Sequence, residues 1–502
     1  MTPVFAELEY PELFFGFVAP IGADLKGCVS AFKAKLEGFG YKVVEIKVTE
    51  IFADLAKSIR PDLDLKKKPE FDRYRTYIKY GNQLRAEFDD DAALASLSVA
   101  RIGLRRTIKR APKDKPFSKV AYIVHQFKRK EEVDLFRAVY GRQFFQISVY
   151  SRRGARVDYI AQKFANTSNS ANINSFRSKA EDIIQIDENE FGNTHGQKVL
   201  KIFHDADFIV NLDVKSSSTI DQVGRFCDLL FGSNKISPTR IEYGMFIAKA
   251  AALRTLDLSR QVGAAIFSDD GEIVTMGSNE VPKGGGGTYW CDDGVDDREY
   301  VRGHDSNDRR KAEIISEILD AIKSKTKLTD PRIGESQFMD ALEYGRIVHA
   351  EMSAIIDAAR LGRSIKDGVL FCTTFPCHMC AKHIVGSGIK RVVFLEPYPK
   401  SLVLDLRGDS IIVEGNDRGK YNSYPSVLFE HFYGVSPRRY RDLFERGKRK
   451  SGGDFMEWRG GVPRPNLNIR TPYYVEAEKN IVEFVIPQYI SRRAFDPAIL
   501  KK

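Results

Sequence analysis

Two short segments constrain this chain more than any other feature of its sequence. The first, VHAE, places His349 two residues before Glu351, and the second, FPCHMC, places Cys377 three residues before Cys380. Residues 352–375 lie between Glu351 and the proline that precedes the first cysteine. Since that length accommodates a helix, a turn and a strand, the pattern predicts a helix–strand–helix unit that brings the histidine to the cysteines.

These residues have the chemistry of a zinc site. Thiolates and imidazoles are ligands that zinc prefers, and a catalytic zinc ion keeps one position for water. A helix beginning at Pro376 would place the sulfurs of Cys377 and Cys380 on one face, where the unpaired N–H groups of the first turn favour thiolate. With His349, the pattern predicts three protein ligands and an open fourth position, and therefore a catalytic zinc ion.

Glu351 is the predicted catalytic residue. Zinc lowers the pKa of bound water, and a neighbouring carboxylate can take the proton and pass it to a leaving group. The order H-x-E followed by P-C-x-x-C is the signature of zinc deaminases. The buried face of the first motif helix is expected at the apolar positions Met352, Ile355, Ile356 and Ala359.

Other interpretations of the same residues are open at this point. An isolated Cys-x-x-Cys pair also binds structural zinc, and an isolated His-x-Glu on a helix usually has no function. Cys291 and His304, in an acidic, glycine-rich segment, could hold a second, structural zinc ion. The remaining histidines are interpreted as ordinary core or surface residues.

The composition limits the class of protein. At 502 residues the chain is too long for one ordinary core, so two or three domains are expected. It has no long apolar run, and the N-terminal segment lacks the pattern of a signal peptide, which predicts a cytoplasmic protein without membrane contact. Six cysteines are too few for a disulfide scaffold. The net charge of +10 suits anionic partners such as nucleotides or RNA.

Alternating strand and helix patterns predict an α/β protein in three parts. Residues 1–235 begin with a strand near 13–18, a Pro-Gly loop, a helix and a strand at 41–48, which predicts a mostly parallel sheet covered on both faces. Residues 236–436 contain a helix N-capped by Ser237, a hairpin turning at Asp270-Gly271 and both motif helices, which predicts a three-layer α/β/α domain. Residues 437–502 are expected to form a basic, loop-rich extension that packs on the rest.

The second part resembles the cytidine and deoxycytidylate deaminase superfamily, and deoxycytidylate deaminases in particular. The resemblance is carried by SRQVGAAI, GSNEVPKG, RIVHAE, TTFPCHMCAKHIVGSGIKRVVF and EPYPKS. It implies a cytidine-deaminase-like fold and hydrolytic deamination of a deoxycytidine nucleotide, dCTP or dCMP, at C4 of the pyrimidine, with release of ammonia. One catalytic Zn²⁺ per chain is implied, bound by His349, Cys377 and Cys380, with Glu351 moving the protons.

The resemblance also implies residues that contact the substrate. Asn279 corresponds to an asparagine that meets the deoxyribose, and Tyr398 and Lys400 fall where the family has an aromatic and a cationic residue near base and phosphate. The pyrimidine is expected to face Ala350, Thr373, Thr374 and Phe375. Because such deaminases usually form oligomers, a homo-oligomer is expected, and Mg²⁺ would accompany a bound triphosphate.

From about residue 10 to residue 475 the chain resembles a narrower group, the bacterial anti-phage dCTP deaminases. These join a P-loop kinase-like domain to the deaminase. The resemblance is carried by FGFVAPIGADL, FKRKEEVDLFRAVYG, RFCDLLFG, GGTYW and GVSPRRYRDLFERGKRK. It implies depletion of the dCTP pool during infection, with regulatory RNA or a nucleotide at the N-terminal domain.

The loop after the first predicted strand departs from the P-loop pattern G-x-x-x-x-G-K-[ST]. With Gly22 as the second glycine, residues Phe17, Ala23 and Asp24 occupy the first-glycine, lysine and hydroxyl positions. Backbone N–H groups could still cradle phosphate, for sensing rather than phosphoryl transfer, or the loop is an ordinary βα turn. The nucleotide-binding residues predicted here are Gly16, Pro20, Gly22, Ala23, Asp24 and Lys26.

Two other functions remain open from the sequence. A deaminase of RNA or single-stranded DNA would use the same zinc chemistry, and basic runs at residues 101–115 and 437–450 would suit it, although such runs are more often solvated surfaces. A nucleotide or RNA sensor with structural zinc would not need Glu351. The retention of that carboxylate therefore favours an enzyme.

Overall fold

The computed structural model describes residues 8–108, 118–323, 326, 328–334, 336–398 and 401–501. The chain forms two compact units: unit 1 comprises Met1–Pro238 and Tyr433–Lys502, and unit 2 comprises Thr239–Phe432. Both units contain a sheet with parallel strand pairs, which confirms the predicted α/β class. Within the described ranges, no helix is long and apolar enough to cross a membrane.

Strands and helices are numbered in chain order. The strands are β1 Leu13–Val18, β2 Lys42–Lys47, β3 Val120–His125, β4 Phe144–Tyr150, β5 Phe208–Asn211, β6 Gly263–Phe267, β7 Ile273–Ser278, β8 Val369–Thr374, β9 Arg391–Glu396, β10 Ile411–Val413, β11 Val427–His431, β12 Gly434–Val435, β13 Lys450–Ser451 and β14 Asp454–Phe455. The α-helices are α1 Leu25–Gly38, α2 Phe52–Leu55, α3 Glu70–Phe88, α4 Ala93–Ile108, α5 Lys130–Tyr140, α6 Arg153–Thr167, α7 Arg177–Glu188, α8 Val199–Phe203, α9 Thr219–Leu230, α10 Arg240–Ala252, α11 Glu299–Arg302, α12 Ser306–Ala321, α13 Pro331–Gly334, α14 Ala350–Arg360, α15 His378–Gly386, α16 Val403–Arg407, α17 Tyr440–Phe444, α18 Tyr474–Asn480 and α19 Ile486–Arg492.

The sheet of unit 1 has the strand order β12-β5-β4-β1-β3-β2. Neighbours from β5 to β2 run parallel, and β12 pairs antiparallel with β5. All six residues of β1 are buried, as expected for a strand covered on both faces of a parallel sheet. The chain passes from β1 to β2 and β3 on one side and then crosses to β4 and β5 on the other. The order of strands therefore reverses at β1.

The C-terminal segment belongs to unit 1, where helices α17 to α19 lie in the part predicted to be rich in loops. The Arg106 guanidinium on α4 donates to the carboxylates of Glu12 and Glu478, and all three side chains are buried. Arg439, in the basic run at 437–450, is also buried and donates to Asp207 at 3.0 Å. Part of this run therefore stabilises the interior instead of forming a charged surface.

The sheet of unit 2 has the order β10-β11-β9-β8-β6-β7. The predicted hairpin is confirmed as β6 and β7, with a left-handed backbone at Gly271 in its turn. The predicted N-cap at Ser237 is wrong: helix α10 begins after Thr239, whose hydroxyl accepts from the N–H of Glu242 while the Glu242 carboxylate accepts from the N–H of Thr239. This reciprocal capping box outcompetes the preceding Ser-Pro pair.

Helices α10 and α14 pack on opposite faces of this sheet. A Cβ on Gly263 of β6 would lie 2.0 Å from the carbonyl oxygen of Ala248 on α10, whereas the next residue, Ala264, packs in one core with Ala350 and Ala354 of α14. Since successive strand residues face opposite sides, the sheet lies between two helical layers. The three-layer α/β/α arrangement predicted for this part is thereby present.

Candidate metal centre and adjoining cavity

The start of α14 positions His349. The residue before it, Val348, exchanges two backbone hydrogen bonds with Glu280, of 3.1 and 3.2 Å, just beyond the end of β7. His349 then has extended backbone angles and caps the helix that begins at Ala350. The imidazole is thus held at a helix start whose position is set by a strand.

The predicted buried face of this helix is largely wrong, since of its four described residues Ile355 alone packs, partly buried, against the apolar core. Its buried apolar residues are Ala350, Ala354 and Ala358, whereas Ile356 is 44% exposed and Met352 is half-buried. A row of alanines lets the helix approach β7 closely, and larger apolar side chains on this face would prevent that approach. The spacing of large apolar residues therefore indicated the wrong side.

Gly277 of β7 is required by this close approach. A Cβ at this position would lie 2.2 Å from the carbonyl oxygen of Ala350 and 2.5 Å from the amide nitrogen of Ala354. We therefore expect Gly277→Ala to displace the start of α14, to destabilise the fold by about 1–3 kcal/mol and to weaken zinc binding, measured as metal content and thermal unfolding.

A helical glycine of the same unit provides the control. Gly386 ends α15, and an added Cβ there would meet no other atom within 4 Å, so Gly386→Ala should leave both readouts unchanged. Wild-type zinc affinity in Gly277→Ala would show that the close approach is not needed for the site.

The two cysteines follow β8. The N–H of Phe375 donates to the backbone carbonyl of Glu396 at 2.7 Å, which keeps the chain on the sheet just past the end of β8. Helix α15 begins at His378 rather than at Pro376, and Cys377 is its N-cap: the Cys377 sulfur accepts from the N–H of Cys380 at 3.5 Å. A thiolate can accept this bond as a capping carboxylate does, which moves the helix start beyond the proline.

His349, Cys377 and Cys380 converge on one point. The Nδ1 atom of His349 lies 3.4 Å from each of the two sulfurs, and all three ligand atoms lie within 4.8 Å of one another. Tetrahedral zinc with nitrogen and sulfur ligands requires separations of roughly 3.5 Å between such atoms, so the arrangement fits zinc. Across the described ranges, no group of potential ligands includes Cys291 or His304.

The electrostatics of the cluster favour the zinc-binding form of Cys377. A hydrogen bond with the Cys380 thiol, followed by one with His349, holds the pKa of the Cys377 thiol well below its usual range, against the effect of burial. The Cys377 sulfur in turn raises the pKa of His349. A thiolate beside an imidazole is the charge distribution that a divalent cation stabilises.

Glu351 lies one turn into α14 with only 4% of its surface exposed. Burial, followed by the negative charge of Cys377, raises the pKa of its carboxyl. The buried Cys372 of β8 lies near enough to affect the pKa of this carboxyl, a proximity that sequence reasoning missed because the two residues are far apart in the chain. A carboxyl with a raised pKa is better suited to take up a proton and pass it on during a reaction than one with the usual value.

A cavity of about 370 Å³ adjoins the cluster and is lined by His349, Glu351 and Cys377. Most of the predicted substrate residues that the structure describes also line this cavity, namely Asn279, Ala350, Thr374, Phe375 and Tyr398. Thr373 does not: it is buried, and its hydroxyl accepts from the N–H of Gly263 at 3.1 Å. Lys400 lies outside the described residues.

The Asn279 side chain is largely committed within the protein. Its Oδ1 accepts from the N–H of Val262 at 2.7 Å, and its amide nitrogen donates to the carbonyl of Arg260 at 2.8 Å and to the Asp257 carboxylate. An amide oxygen has two acceptor positions, so one remains for a ligand hydroxyl. Asn279 therefore fixes the loop before β6 and offers one acceptor to the cavity.

Charged residues that sequence reasoning missed also line the cavity. Arg260 is 52% exposed in its side chain and pairs with Glu396 at 2.6 Å. Lys311 of α12 is buried and donates to the carbonyl of Met339 at 2.6 Å. For Arg260, the sequence signal was its position in the SRQVGAAI segment. No sequence pattern indicated that α12, which carries Lys311, forms a wall of this cavity.

The predicted nucleotide-binding residues lie in unit 1. A Cβ on Gly16 would lie 2.1 Å from the Phe127 ring, so that glycine serves packing inside the sheet. Gly22 has a left-handed backbone with φ of 96°, and a Cβ there would lie 2.7 Å from Arg156. A second cavity is lined by Pro20, Gly22, Ala23, Asp24 and Lys26.

Comparison with known proteins places the metal cluster in a described family region. A family model named cytidine and deoxycytidylate deaminase zinc-binding region matches residues 238–396. The deoxycytidylate deaminase of phage T4 is 32% identical over 151 residues, which cover 28% of this chain and 70% of the phage protein. The human deoxycytidylate deaminase is 30% identical over 154 residues, which cover 31% of this chain and 63% of the human protein.

Among solved structures, the crystal structure of dCMP deaminase from cyanophage S-TIM5 in apo form aligns with 19% identity and a TM-score of 0.22. The alignment covers 39% of this chain and 100% of that one. The sequence matches, together with the His/Cys/Cys cluster, identify a zinc site.

Proposed function

Because the chain belongs to the deoxycytidylate deaminase family and is a hydrolytic deaminase, we propose that its substrate is a free deoxycytidine nucleotide, dCTP or dCMP. The reaction replaces the amino group at C4 with oxygen from water and yields the deoxyuridine nucleotide and ammonia. The observation that carries the proposal is that Glu351 and the zinc ligands His349 and Cys377 line one cavity large enough for a small ligand.

The chemistry of the proposed reaction is divided between metal and protein. Zinc held by His349, Cys377 and Cys380 would supply Lewis acidity, which lowers the pKa of water so that it can attack C4. Glu351 takes the proton from the attacking water and delivers it to N3 of the ring. The same carboxyl then takes the remaining proton from the new hydroxyl on C4 and passes it to the departing amine, so that the C4–N bond breaks, the C4 carbonyl forms and ammonia leaves as a neutral molecule.

Other residues of the cavity would orient the nucleotide. The Phe375 ring, held edge-on against Phe394 and Phe429, and the side chain of Tyr398 form an aromatic part of the lining, suited to a pyrimidine. The remaining acceptor position of Asn279 suits a sugar hydroxyl. Arg260, whose ion pair with Glu396 is half exposed, is the cation best placed to exchange its partner for a phosphate.

Two arginines of the second basic run are engaged within the protein, although Arg441, Lys448, Arg449 and Lys450 of the same run are exposed. Residues 109–115 of the first run lie outside the described residues, and the second contributes the buried, paired Arg439 described above. Arg446, in the same run, donates to the carbonyl of Ser233 at 3.0 Å. These guanidinium groups serve internal contacts and leave fewer cations for a nucleic-acid backbone.

The test is a direct comparison of substrates. The zinc-loaded protein is incubated separately with dCMP, dCTP, CMP, CTP and a cytosine-containing oligonucleotide of DNA and of RNA, and both ammonia and the deaminated product are quantified. We expect turnover of a free deoxycytidine nucleotide, with oligonucleotides at least about 100-fold slower. Deamination of the oligonucleotides alone would contradict the proposal and favour a polynucleotide deaminase.

Several expectations stay predictions. They are Mg²⁺ with a triphosphate, a homo-oligomer, regulatory RNA, a cytoplasmic location, a P-loop kinase-like ancestry of unit 1, and depletion of dCTP as a defence against phage. The phage defence, the regulatory RNA and the P-loop kinase-like character of unit 1 depend on the resemblance to the anti-phage group, and the others on the deaminase resemblance or on the sequence itself.

A further inference from the structure

The cavity of unit 1 has a volume of about 420 Å³ and lies at the carboxyl ends of β1, β2 and β3. Its walls include Lys47 at the end of β2, Thr49 after β2 and Gln126 after β3. In open parallel sheets, ligands bind outside the carboxyl ends of the strands at the point where the strand order reverses, and β1 is that point here. The cavity therefore lies where this type of sheet accommodates a ligand.

Two backbone amides of the loop after β1 are already engaged within the protein. The N–H of Ile21 donates to the carboxylate of Asp187 at 2.7 Å, and the N–H of Ala23 donates to the carbonyl of Pro20 at 3.1 Å. Asp187 is fully buried and also pairs with Lys128 at 2.7 Å. The Asp187 carboxylate thus takes an amide that a phosphate-binding loop would offer to its ligand, so side-chain cations become important for holding an anion here.

Side-chain cations on two helices could hold such an anion. Arg73 of α3 and Lys163 of α6 share one carboxylate, Glu70, at 3.3 and 3.6 Å, so their combined charge is only half neutralised. Their side chains are 40% and 33% exposed. Lys47 lines the same cavity and is 43% exposed. An anionic ligand would gain charge-assisted hydrogen bonds without displacing a buried ion pair.

Aromatic residues form another wall. The Tyr77 ring stacks on Phe52 with 5.8 Å between ring centroids, and Arg73 lies over the rings of Tyr74 and Tyr77 at 5.7 and 5.5 Å. All four residues line the cavity. A flat apolar wall beside cations suits a ligand that joins a planar ring to an anion.

Gln197 adds a requirement for a donor. Only 7% of the surface of Gln197 is exposed, and the residue lines the cavity. Its Oε1 atom has no hydrogen-bond partner among the residues that the structure describes. A buried acceptor without a partner is costly, so a ligand that donates an amino or hydroxyl hydrogen to it is favoured.

We propose that this cavity binds a nucleoside phosphate, with its phosphates on Arg73 and Lys163, its ring against the Tyr77 wall, and an amino or hydroxyl group donating to Gln197. The site is distinct from the deaminase cavity of unit 2, and it is tested by binding, independently of turnover.

The experiment measures binding to the full-length protein by isothermal titration calorimetry. The probes are ATP, dCTP and inorganic tripolyphosphate. Because dCTP is also a proposed substrate of the unit 2 cavity, only the dCTP binding that is lost in the double variant Arg73→Gln/Lys163→Gln is assigned to this site. We expect that variant to weaken ATP and tripolyphosphate at least tenfold. We expect Gln197→Leu to weaken ATP at least fivefold and to leave tripolyphosphate unchanged.

A matched control is Lys179→Gln. This exposed lysine of α7 lies over the Phe71 ring and is not among the lining residues, so ATP affinity should stay within twofold of wild type. Lys163→Gln alone serves if the double variant fails to fold, as judged by thermal unfolding, and is expected to weaken ATP at least threefold. Absence of binding by all three probes, or unchanged affinity in both the double variant and Lys163→Gln, would overturn the proposal. So would binding of single-stranded RNA that ATP and dCTP fail to displace.

Discussion

Replacing Glu351 with glutamine is expected to lower the rate of deamination at least about 100-fold while leaving the zinc content unchanged. The amide has nearly the volume of the carboxyl, and Glu351 is not one of the clustered ligands, so the metal site should persist. What is lost is the group that moves protons between water, ring nitrogen and leaving amine. Deamination is measured as ammonia release with the preferred nucleotide, and zinc by elemental mass spectrometry.

Glu313→Gln is a suitable control for the Glu351 variant. Glu313 is an exposed carboxylate of α12 that pairs with Arg309 and Arg310 outside the cavity lining, so its replacement removes the same charge without touching the site. Near wild-type turnover in Glu351→Gln would assign the proton transfers to another group. Loss of zinc in that variant would instead show that Glu351 helps to hold the metal.

Replacing Cys380 with serine is expected to remove both zinc and activity. The Cys380 sulfur is 1% exposed and lies 3.4 Å from Nδ1 of His349, so its loss leaves two protein ligands where three converge. A metal that binds the folded state alone stabilises it by about 2.7 kcal/mol at a hundredfold excess over Kd, and this contribution disappears with the site. Zinc content after dialysis and thermal unfolding measure the two effects.

Chelation supplies an independent comparison for the Cys380 variant. Wild-type protein treated with a chelator should unfold at the lower temperature of Cys380→Ser, and added zinc should restore the wild-type protein but not the variant. Cys291→Ser should retain full zinc, because Cys291 is exposed and outside the cluster. A Cys380→Ser variant with one tightly bound zinc per chain would contradict the assignment of this ligand.

The elements that sequence patterns predicted correctly are those whose formation depends on neighbouring residues. The strand at 13–18 and the hairpin with Gly271 in its turn are confirmed, because apolar runs and turn residues act locally. The motif spacing also brought His349 to the two cysteines, since the strand between the motif helices leaves few geometries open. Helix starts were less certain because competing caps lie one or two residues apart, as at Thr239 and Cys377.

The wrong prediction for α14 has a different cause. Met352, Ile355 and Ile356 are the larger apolar residues, yet the alanine face packs on β7 because Gly277 permits a close approach. Helical spacing identifies faces but does not show which face a neighbouring strand can accept. The same limitation hid Cys372 of β8, which lies near Glu351 and affects the pKa of its carboxyl.

The sequence by itself determined the chemistry of this protein, because His349, Glu351, Cys377 and Cys380 are residue types and spacings that few other reactions use. The tertiary structure alone decided the surroundings of that chemistry. Arg260 and Lys311 enter the cavity lining, Asn279 is largely engaged by the loop before β6, and the loop after β1 is closed by Asp187. These are contacts between residues that are distant in the chain, and their geometry depends on which helices and strands pack together rather than on any local pattern.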